Sequence, residues 1–590
     1  MILAHGQDVG FGTFGLDWLY LLVPFAALLA IIGWLFATGT RMERGGLVTK
    51  TLGRIGSSLE RLTGLPSWAA AGLGVATWSL LVAVIGFLWD VAWHIDFGRD
   101  EFVFTPSHMM ILVGLAAIIA SAVTAILFAT LLEGDTGWRP GRLRIPYGAA
   151  ALGALGIGAV TGFPLDELWH RNYGVDVTMW GPTHLLMISG ASFTPLGMWL
   201  LLREAMPHAQ NDAIVRGLKL LLAGVVVVGL STFQAEFDFG VPQFQQLYHP
   251  VLIAIATGVG LVIARTTLGP GGALVAVAGF VAVRGALVLL LGEALNQTVA
   301  RFPLYLGAAL AVEAAALLGR RLSPLRNALV AGVLVGTAGL GAEWAWMQVW
   351  GRHPWGPNLF PGIAVAVVAA VGAAVLGTAM GRILSQQPAG IGRLPLALAG
   401  AAVVACLVAP LPRSSAPYEA RMTTTPAGKG AVDLTVAVDP PEAVERVDMF
   451  EVMSWQGGRL VITPLEEQSH GVYRAEEPVP VGGDWKSMVR IADKDLMAAV
   501  PVFMPRDDEI GASEIPVVPE RTVAFRRDTE LLMREAHEGA AWPATVAYTS
   551  IACVALVWIV TLAIGFAKVG SPRPPQDRSR RRVSRTAVPT

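Results

Sequence analysis

Apolar runs of roughly 20 residues, each closed by a short polar or Gly/Pro-containing break, recur along most of this chain. As helices, runs of that length match the hydrocarbon thickness of a bilayer. They predict about 13 spanning helices, near 16–38, 68–94, 106–133, 147–170, 181–203, 216–236, 249–266, 271–296, 303–319, 327–350, 360–381, 394–411 and 543–567. Between the last two the period changes. Residues 412–540 are polar and Pro-rich and contain alternating stretches such as Val432-Asp433-Leu434-Thr435-Val436-Ala437-Val438 and Met488-Val489-Arg490-Ile491. A period of two predicts strands, here a β-sandwich of roughly 90 residues and a linker to the last helix. The expected fold is an all-α polytopic membrane protein carrying one extracytoplasmic β-sandwich.

Composition agrees. Of 590 residues, 54% are hydrophobic and 15% charged, which excludes an ordinary soluble domain. The formal net charge of −1 matters less than where the charges fall, and no nucleic-acid partner is expected. Arg41, Arg44, Lys50, Arg54 and Arg61 fill the first polar break. Arg139, Arg142 and Arg144 fill the third, Arg320, Arg321 and Arg326 a later one, and Arg573 to Arg585 the tail. All of these fall on one side of the predicted spans, which the positive-inside rule makes cytoplasmic. The expectation is a multi-pass cell-membrane protein with its N-terminus outside and its C-terminus inside. Met1–Gly10 is too short for the apolar core of a cleavable signal. Cys406 and Cys553 both lie in apolar spans and suggest neither a disulfide framework nor a thiolate metal site. The expected organisation is an N-terminal helix and basic loop (1–67), a duplicated pair of helical hairpins (68–205), further hairpins (206–411), the β-sandwich and linker (412–540), and a last helix with a basic tail (541–590).

One segment returns. Ala83-Val84-x-Gly86-Phe87-x2-Asp90-x2-Trp93-His94-x3-Gly98-x-Asp100-x5-Pro106-x-His108 recurs 76 residues later as Ala159-Val160-x-Gly162-Phe163-x2-Asp166-x2-Trp169-His170-x3-Gly174-x-Asp176-x5-Pro182-x-His184. Each copy holds two carboxylates and two imidazoles at the same spacing. The repeat unit is a two-helix hairpin, so the repeats run in parallel, and both motifs fall on the outer side. Asp90 and His94 are four apart and share a helix face, as do Asp166 and His170. Pro106 suits the first position of the descending helix, which puts His108 in its first turn. The positive helix end there disfavours imidazolium and keeps the ring a neutral ligand. Two imidazoles and one carboxylate per hairpin suit copper, zinc or non-haem iron. Asp100 and Asp176 are candidates for further ligands or for partners that orient a ring N–H.

For one histidine alone, a polar side chain snorkelling at a helix end is the simpler reading. Four histidines and four carboxylates in register favour metal. Trp93 and Trp169 read as interfacial belt residues, and Gly98 and Gly174 as turn residues. Later hairpins carry fainter echoes: Glu236, Asp238 and His249 in one, Glu343 and His353 in another. Arg284 and Glu313, near mid-depth in adjacent predicted helices, are expected to pair, because a charge within the bilayer needs a partner.

The stretch Trp93-His94-x4-Arg99-Asp100-x3-Phe104-Thr105-Pro106-Ser107-His108 resembles one of the three component chains of the copper-dependent membrane monooxygenases, the particulate methane and ammonia monooxygenase family. The component it resembles has an Asp-x3-His followed by a second His, and a later site of similar layout in which Asn replaces the Asp. The resemblance covers roughly residues 68–205. It implies copper, one ion or two, at Asp90, His94 and His108 and at Asp166, His170 and His184, with Arg99 inside the motif. It also implies oxygen as reactant and a site at the outer membrane edge. The chain departs from the family in having Asp166 where Asn is the rule, and in being one polypeptide where the family assembles three. Its β-domain is similar to the family's membrane-anchored β-domains only in general design. Gly483-Asp484-Trp485-Lys486 looks like small periplasmic domains beside copper-handling proteins. His5 resembles the mature amino-terminal histidine of the family component that bears those β-domains.

Three functions are in play. In the first, a monooxygenase-like enzyme binds copper at the triads and activates oxygen against a small apolar substrate from the bilayer. That chemistry needs an open coordination position and an electron donor, a membrane quinol by analogy. In the second, the outer carboxylates and imidazoles acquire or deliver copper without catalysis, and the β-domain docks a copper-handling partner protein. In the third, the facing histidines ligate a b-type haem, although a carboxylate one turn before each His argues against it. An enzyme requires a closed apolar cavity beside the site and a carrier a polar route. The 17 methionines are scattered, with Met109-Met110 the only adjacent pair near the motif, which favours the enzyme over a Cu(I) carrier.

Overall fold

The computed structural model describes residues 46–98, 104–132, 134–174, 178–408, 418–445, 447–493, 496–536 and 539–570, with positions 30 and 33. The apolar runs fold as helices because lipid leaves each backbone N–H and C=O to be satisfied inside its own segment. An amphipathic helix, α1 (Leu47–Thr63), comes first. Among the described residues, ten helices are long and apolar enough to cross a membrane: α2 (Ser67–Phe97), α3 (Pro106–Leu131), α4 (Tyr147–Tyr173), α5 (Pro182–His208), α6 (Asp212–Phe239), α7 (Tyr248–Leu268), α8 (Gly272–Ala294), α10 (Pro324–Trp350), α11 (Ile363–Leu384) and α13 (Ala541–Gly570). The apolar helices α9 (Leu306–Leu318) and α12 (Arg393–Val408) are shorter. At 13 and 16 residues they fall below the roughly 20 that a perpendicular span requires. The predicted span at 16–38 lies outside the described residues, apart from positions 30 and 33.

α2 with α3, and α4 with α5, are hairpins held by small residues, which replace the hydrophobic drive that lipid does not supply between helices. A Cβ on Gly114 would stand 2.7 Å from that of Ala83, and one on Gly190 2.6 Å from that of Ala159. Nearer the motif, a Cβ on Gly86 would meet Ser107 O at 3.0 Å, and one on Gly162 would meet Thr183 O at 2.8 Å. Each of these contacts recurs at the 76-residue offset of the sequence motif.

Strands follow the alternating stretches: β1 (Glu419–Pro426), β2 (Ala431–Asp439), β3 (Met449–Trp455), β4 (Val461–Ser469), β5 (Val472–Ala475), β6 (Val479–Pro480), β7 (Lys486–Asp493), β8 (Leu496–Phe503), β9 (Glu520–Ala524) and β10 (Arg526–Arg527). The expected two-layer sandwich is corrected here. β4 pairs with both β3 and β5, so the strands form one continuous antiparallel path, β10-β8-β7-β3-β4-β5-β2-β1-β9, with β6 on β2. The result is a barrel-like sheet with a core of its own around Leu434, Val436, Val489 and Val500.

β2 alternates buried and half-buried positions, whereas β8 is buried throughout. The second face of β3, β7 and β8 explains the difference. Met453, Trp455, Met488 and Ala499 pack with Leu88, Ala92, Ile95 and Phe239 at the ends of α2 and α6. The seam is also polar. Arg490, fully buried, donates to Asp528 Oδ2 at 2.6 Å and to the Pro242 carbonyl. His353 lies 3.1 Å from both Glu451 Oε2 and the Gly240 carbonyl. The Thr298 amide donates to buried Asp96 at 2.7 Å, and the Gln456 amide donates to the Ile95 carbonyl at 3.0 Å. The β-domain therefore roofs the ends of the helices that carry the motif.

Candidate metal centre

Asp90 and His94 stand in the last turns of α2, one turn apart. Gly98, at φ 87°, ends the helix, and its amide bonds the His94 carbonyl. That left-handed turn favours a residue without Cβ, and it aims the Gly98 carbonyl back at His94 Nδ1, 3.0 Å away. α3 starts at Pro106, with Thr105 as its cap accepting from the His108 amide. His108 is thus in the first turn, as its spacing predicts. Its Nε2 lies 3.1 Å from Asp90 Oδ1, and His94 Nε2 lies 3.6 Å from Asp90 Oδ2. Ser107 Oγ donates to Asp90 Oδ1 at 2.8 Å.

The second hairpin repeats this with different residues. Gly174, at φ 81°, closes α4 on the His170 carbonyl. His184 Nε2 and His170 Nε2 lie 3.4 and 3.7 Å from Asp166 Oδ2. Thr183 Oγ1 donates to Asp166 Oδ1, and the Thr178 carbonyl accepts from His184 Nδ1. The hairpins touch at the sites: the ring of Phe163, three residues before Asp166, meets His108 edge to face at 6.1 Å.

The residues fit a metal ion. In each triad one ligand atom per residue lies within 4.8 Å of the other two. Ligand bonds of about 2.0–2.1 Å place tetrahedral donors about 3.3 Å apart, whereas an N–H···O bond spans about 2.7–3.2 Å. Three of the four Asp–His separations exceed the hydrogen-bond range and match the edge of a coordination polyhedron. A carbonyl can only accept, so Nδ1 of His94 and of His184 donates to it, which turns each Nε2 towards a carboxylate oxygen. Between ring and carboxylate the position suits a positive charge, a proton on the ring or a metal ion. His170 Nε2 is buried without a hydrogen-bond partner, the condition of a nitrogen oriented for a metal.

Below the triads, towards the membrane interior, lies a cavity of about 270 Å³. Phe87, Ile111 and Met187 in its wall stand one turn from Asp90, His108 and His184, and Val84, Leu115 and Val283 continue it. The lining is almost wholly apolar.

Arg99, Asp100, Asp176 and His5 lie outside the described residues. Of the fainter candidates, Asp238 and His249 come together, with His249 Nε2 3.8 Å from Asp238 Oδ1, and each also has other partners. Glu236 accepts from the amides of Met179 (2.9 Å) and Gln243 (3.2 Å), and Glu343 from those of Leu304 (2.6 Å) and Tyr305 (2.9 Å). Asp238 pairs with Arg284. His249 accepts from Trp355 Nε1 at 3.3 Å and stacks on Phe237, while His353 is taken up in the seam. The expected Arg284–Glu313 pair is corrected. Glu313 meets Arg265 at 2.7 Å and accepts the Ala273 amide at the start of α8. Arg284 stands about 16 Å further along that helix, near its middle, at 1.5 Å per residue, so the two charges sit at different depths.

Sequence reasoning missed Ser107 and Thr183, although both copies place a hydroxyl just before the second histidine. It also missed the roof. Gly98 packs on the Gln456 side chain and Gly174 on the Glu535 backbone, contacts between segments far apart in the chain. No protein-family model, no curated protein and no solved structure matches this chain.

Proposed function

We propose that this chain is a multi-pass membrane metalloprotein that holds one metal ion in each of its two Asp–His–His triads. Copper is the metal that the resemblance to the membrane monooxygenases implies. The observation that carries the reading is the pair of Asp–His–His triads, in which imidazole nitrogens face a carboxylate oxygen at 3.4–3.7 Å in both hairpins. Asp90, His94 and His108 hold one ion, and Asp166, His170 and His184 the other. The chain orients these ligands. Gly98 and Thr178 carbonyls set the ring tautomers, and Ser107 and Thr183 hydroxyls turn each carboxylate. A bound copper or iron supplies Lewis acidity and one-electron redox chemistry. With the basic loops cytoplasmic, the triads and the β-domain face outwards across the cell membrane.

The apolar cavity one turn below the triads favours oxidation of a small apolar molecule over metal delivery, because ion transfer needs a polar path. On this reading oxygen is the oxidant: a small hydrocarbon reaches the site from the bilayer side and takes up one oxygen atom, the other leaves as water with two electrons and two protons from a membrane quinol, and the roof keeps bulk water from above.

Metal analysis and EPR of the purified full chain test the proposal, beside His94→Ala/His108→Ala and His170→Ala/His184→Ala. The expectation is a cupric signal, with each double variant losing its own share of the copper. Chain that takes up no metal on reconstitution, or variants that keep it all, would sink the assignment. Zinc or iron instead of copper would keep the site and change its chemistry.

A further inference from the structure

At the opposite end of the helices lies a second cavity, of about 240 Å³, which the triads do not use. It opens among α7, α9, α10 and α11. Its polar groups stand in the end turns: Arg265 three residues before the end of α7, Arg382 two before the end of α11, Asn327 three after the start of α10. Val262, Val312 and Ala331 form its deeper wall. A guanidinium-bearing rim thus lies over an apolar floor.

Arg265 is neutralised by Glu313 at 2.7 Å. Arg382 donates its Nε–H to the Pro388 carbonyl at 2.9 Å, and no carboxylate pairs with it among the described residues. The cavity therefore carries one uncompensated positive charge. Asn327 is in the lining, and its Oδ1, buried without a hydrogen-bond partner, packs against Gly319. A basic residue in a last turn complements the helix dipole. That accounts for where the two arginines are, but not for the cavity between them or the orphaned amide oxygen. Arg320, Arg321 and Arg326 lie in and just after the loop joining α9 to α10 at the same end, so this is the cytoplasmic end by the positive-inside rule.

We propose that this cavity binds a glycerophosphate-type monoanion, with Arg382 and Arg265 on the phosphate and Asn327 beside the glycerol. A planar guanidinium grips phosphate oxygens in pairs, and basic pockets between helices on the cytoplasmic side suit anionic headgroups. Two sources share this chemistry: the headgroup of an anionic phospholipid in the inner leaflet, and soluble glycerol phosphate.

Delipidated full chain in neutral detergent provides the test, read by thermal unfolding and native mass spectrometry. Phosphatidylglycerol is expected to raise the unfolding midpoint and to stay bound at one per chain, while phosphatidylcholine does neither. Arg382→Gln is expected to weaken phosphatidylglycerol at least about tenfold, the loss of one charge-assisted hydrogen bond. Arg320→Gln, on the exposed loop, is expected to change nothing. Asn327→Leu serves as the second variant should Arg382→Gln fail to fold. Protection by glycerol phosphate alone assigns the soluble source, and protection by phosphatidylglycerol alone assigns the lipid. Equal protection by phosphatidylcholine, or undiminished binding in both variants, overturns the site.

Discussion

Ser107 and Thr183 sit one residue before the second histidine of each triad, and each hydroxyl holds one oxygen of the neighbouring carboxylate. Groups that orient a ligand typically matter 10- to 100-fold in metal affinity. Ser107→Ala combined with Thr183→Val is therefore expected to weaken metal binding by about that factor while leaving the unfolding midpoint nearly unchanged. Competition against a chelator measures it. Unaltered affinity would remove the hydroxyls from the site. At this scale much was legible, because Asp90, His94, Asp166 and His170 share faces by helix period alone, and Pro106 and Pro182 mark where the returning helices start. The hydroxyls were legible in principle, as a small polar residue at one register position in both copies.

For the helices, the decisive residues are glycines whose neighbours arrive from the facing helix. Gly114 and Gly190 leave no room for a side chain against Ala83 and Ala159. Replacing either with Ile overpacks the hairpin, at a cost of about 1–3 kcal/mol. It also moves His108 or His184 relative to its carboxylate. The prediction is a lower unfolding midpoint together with weaker metal binding at the altered hairpin. Gly74→Ala, where a Cβ meets nothing within 4 Å, should do neither. If Gly114→Ile and Gly74→Ala behaved alike, close packing would not be what holds the triad. Element type was plain from apolar run length and alternation. The depth of a charge along a helix was not, as Arg284 and Glu313 demonstrate, because run length leaves the stagger between neighbouring helices undetermined.

The whole molecule is joined by a seam that buries charge. Arg490 and Asp528 pair at 2.6 Å with both side chains almost fully buried. Removing one partner strands a charge, which costs about 3–5 kcal/mol, whereas replacing both with apolar residues is often nearly neutral. Asp528→Leu is thus expected to loosen the β-domain and expose it to protease added outside sealed vesicles, and Arg490→Met/Asp528→Leu to restore most of the resistance. Protease resistance unchanged in the single variant would mean that the seam depends on its apolar face alone.

The linear sequence by itself determined where ten membrane-length helices lie among the described residues, the alternating strands, and which residues make up each triad. All three follow from interactions within one element or one short hairpin, where spacing dictates which side chains share a face. Only the tertiary structure decided that the sheet closes into a single path, that its second face roofs the site, and that the cavities open where they do. Those depend on contacts between segments hundreds of residues apart, such as Gln456 with Ile95 and Arg490 with Pro242. Local propensity carries no record of them, because such a contact is stabilised by the packing of whole elements.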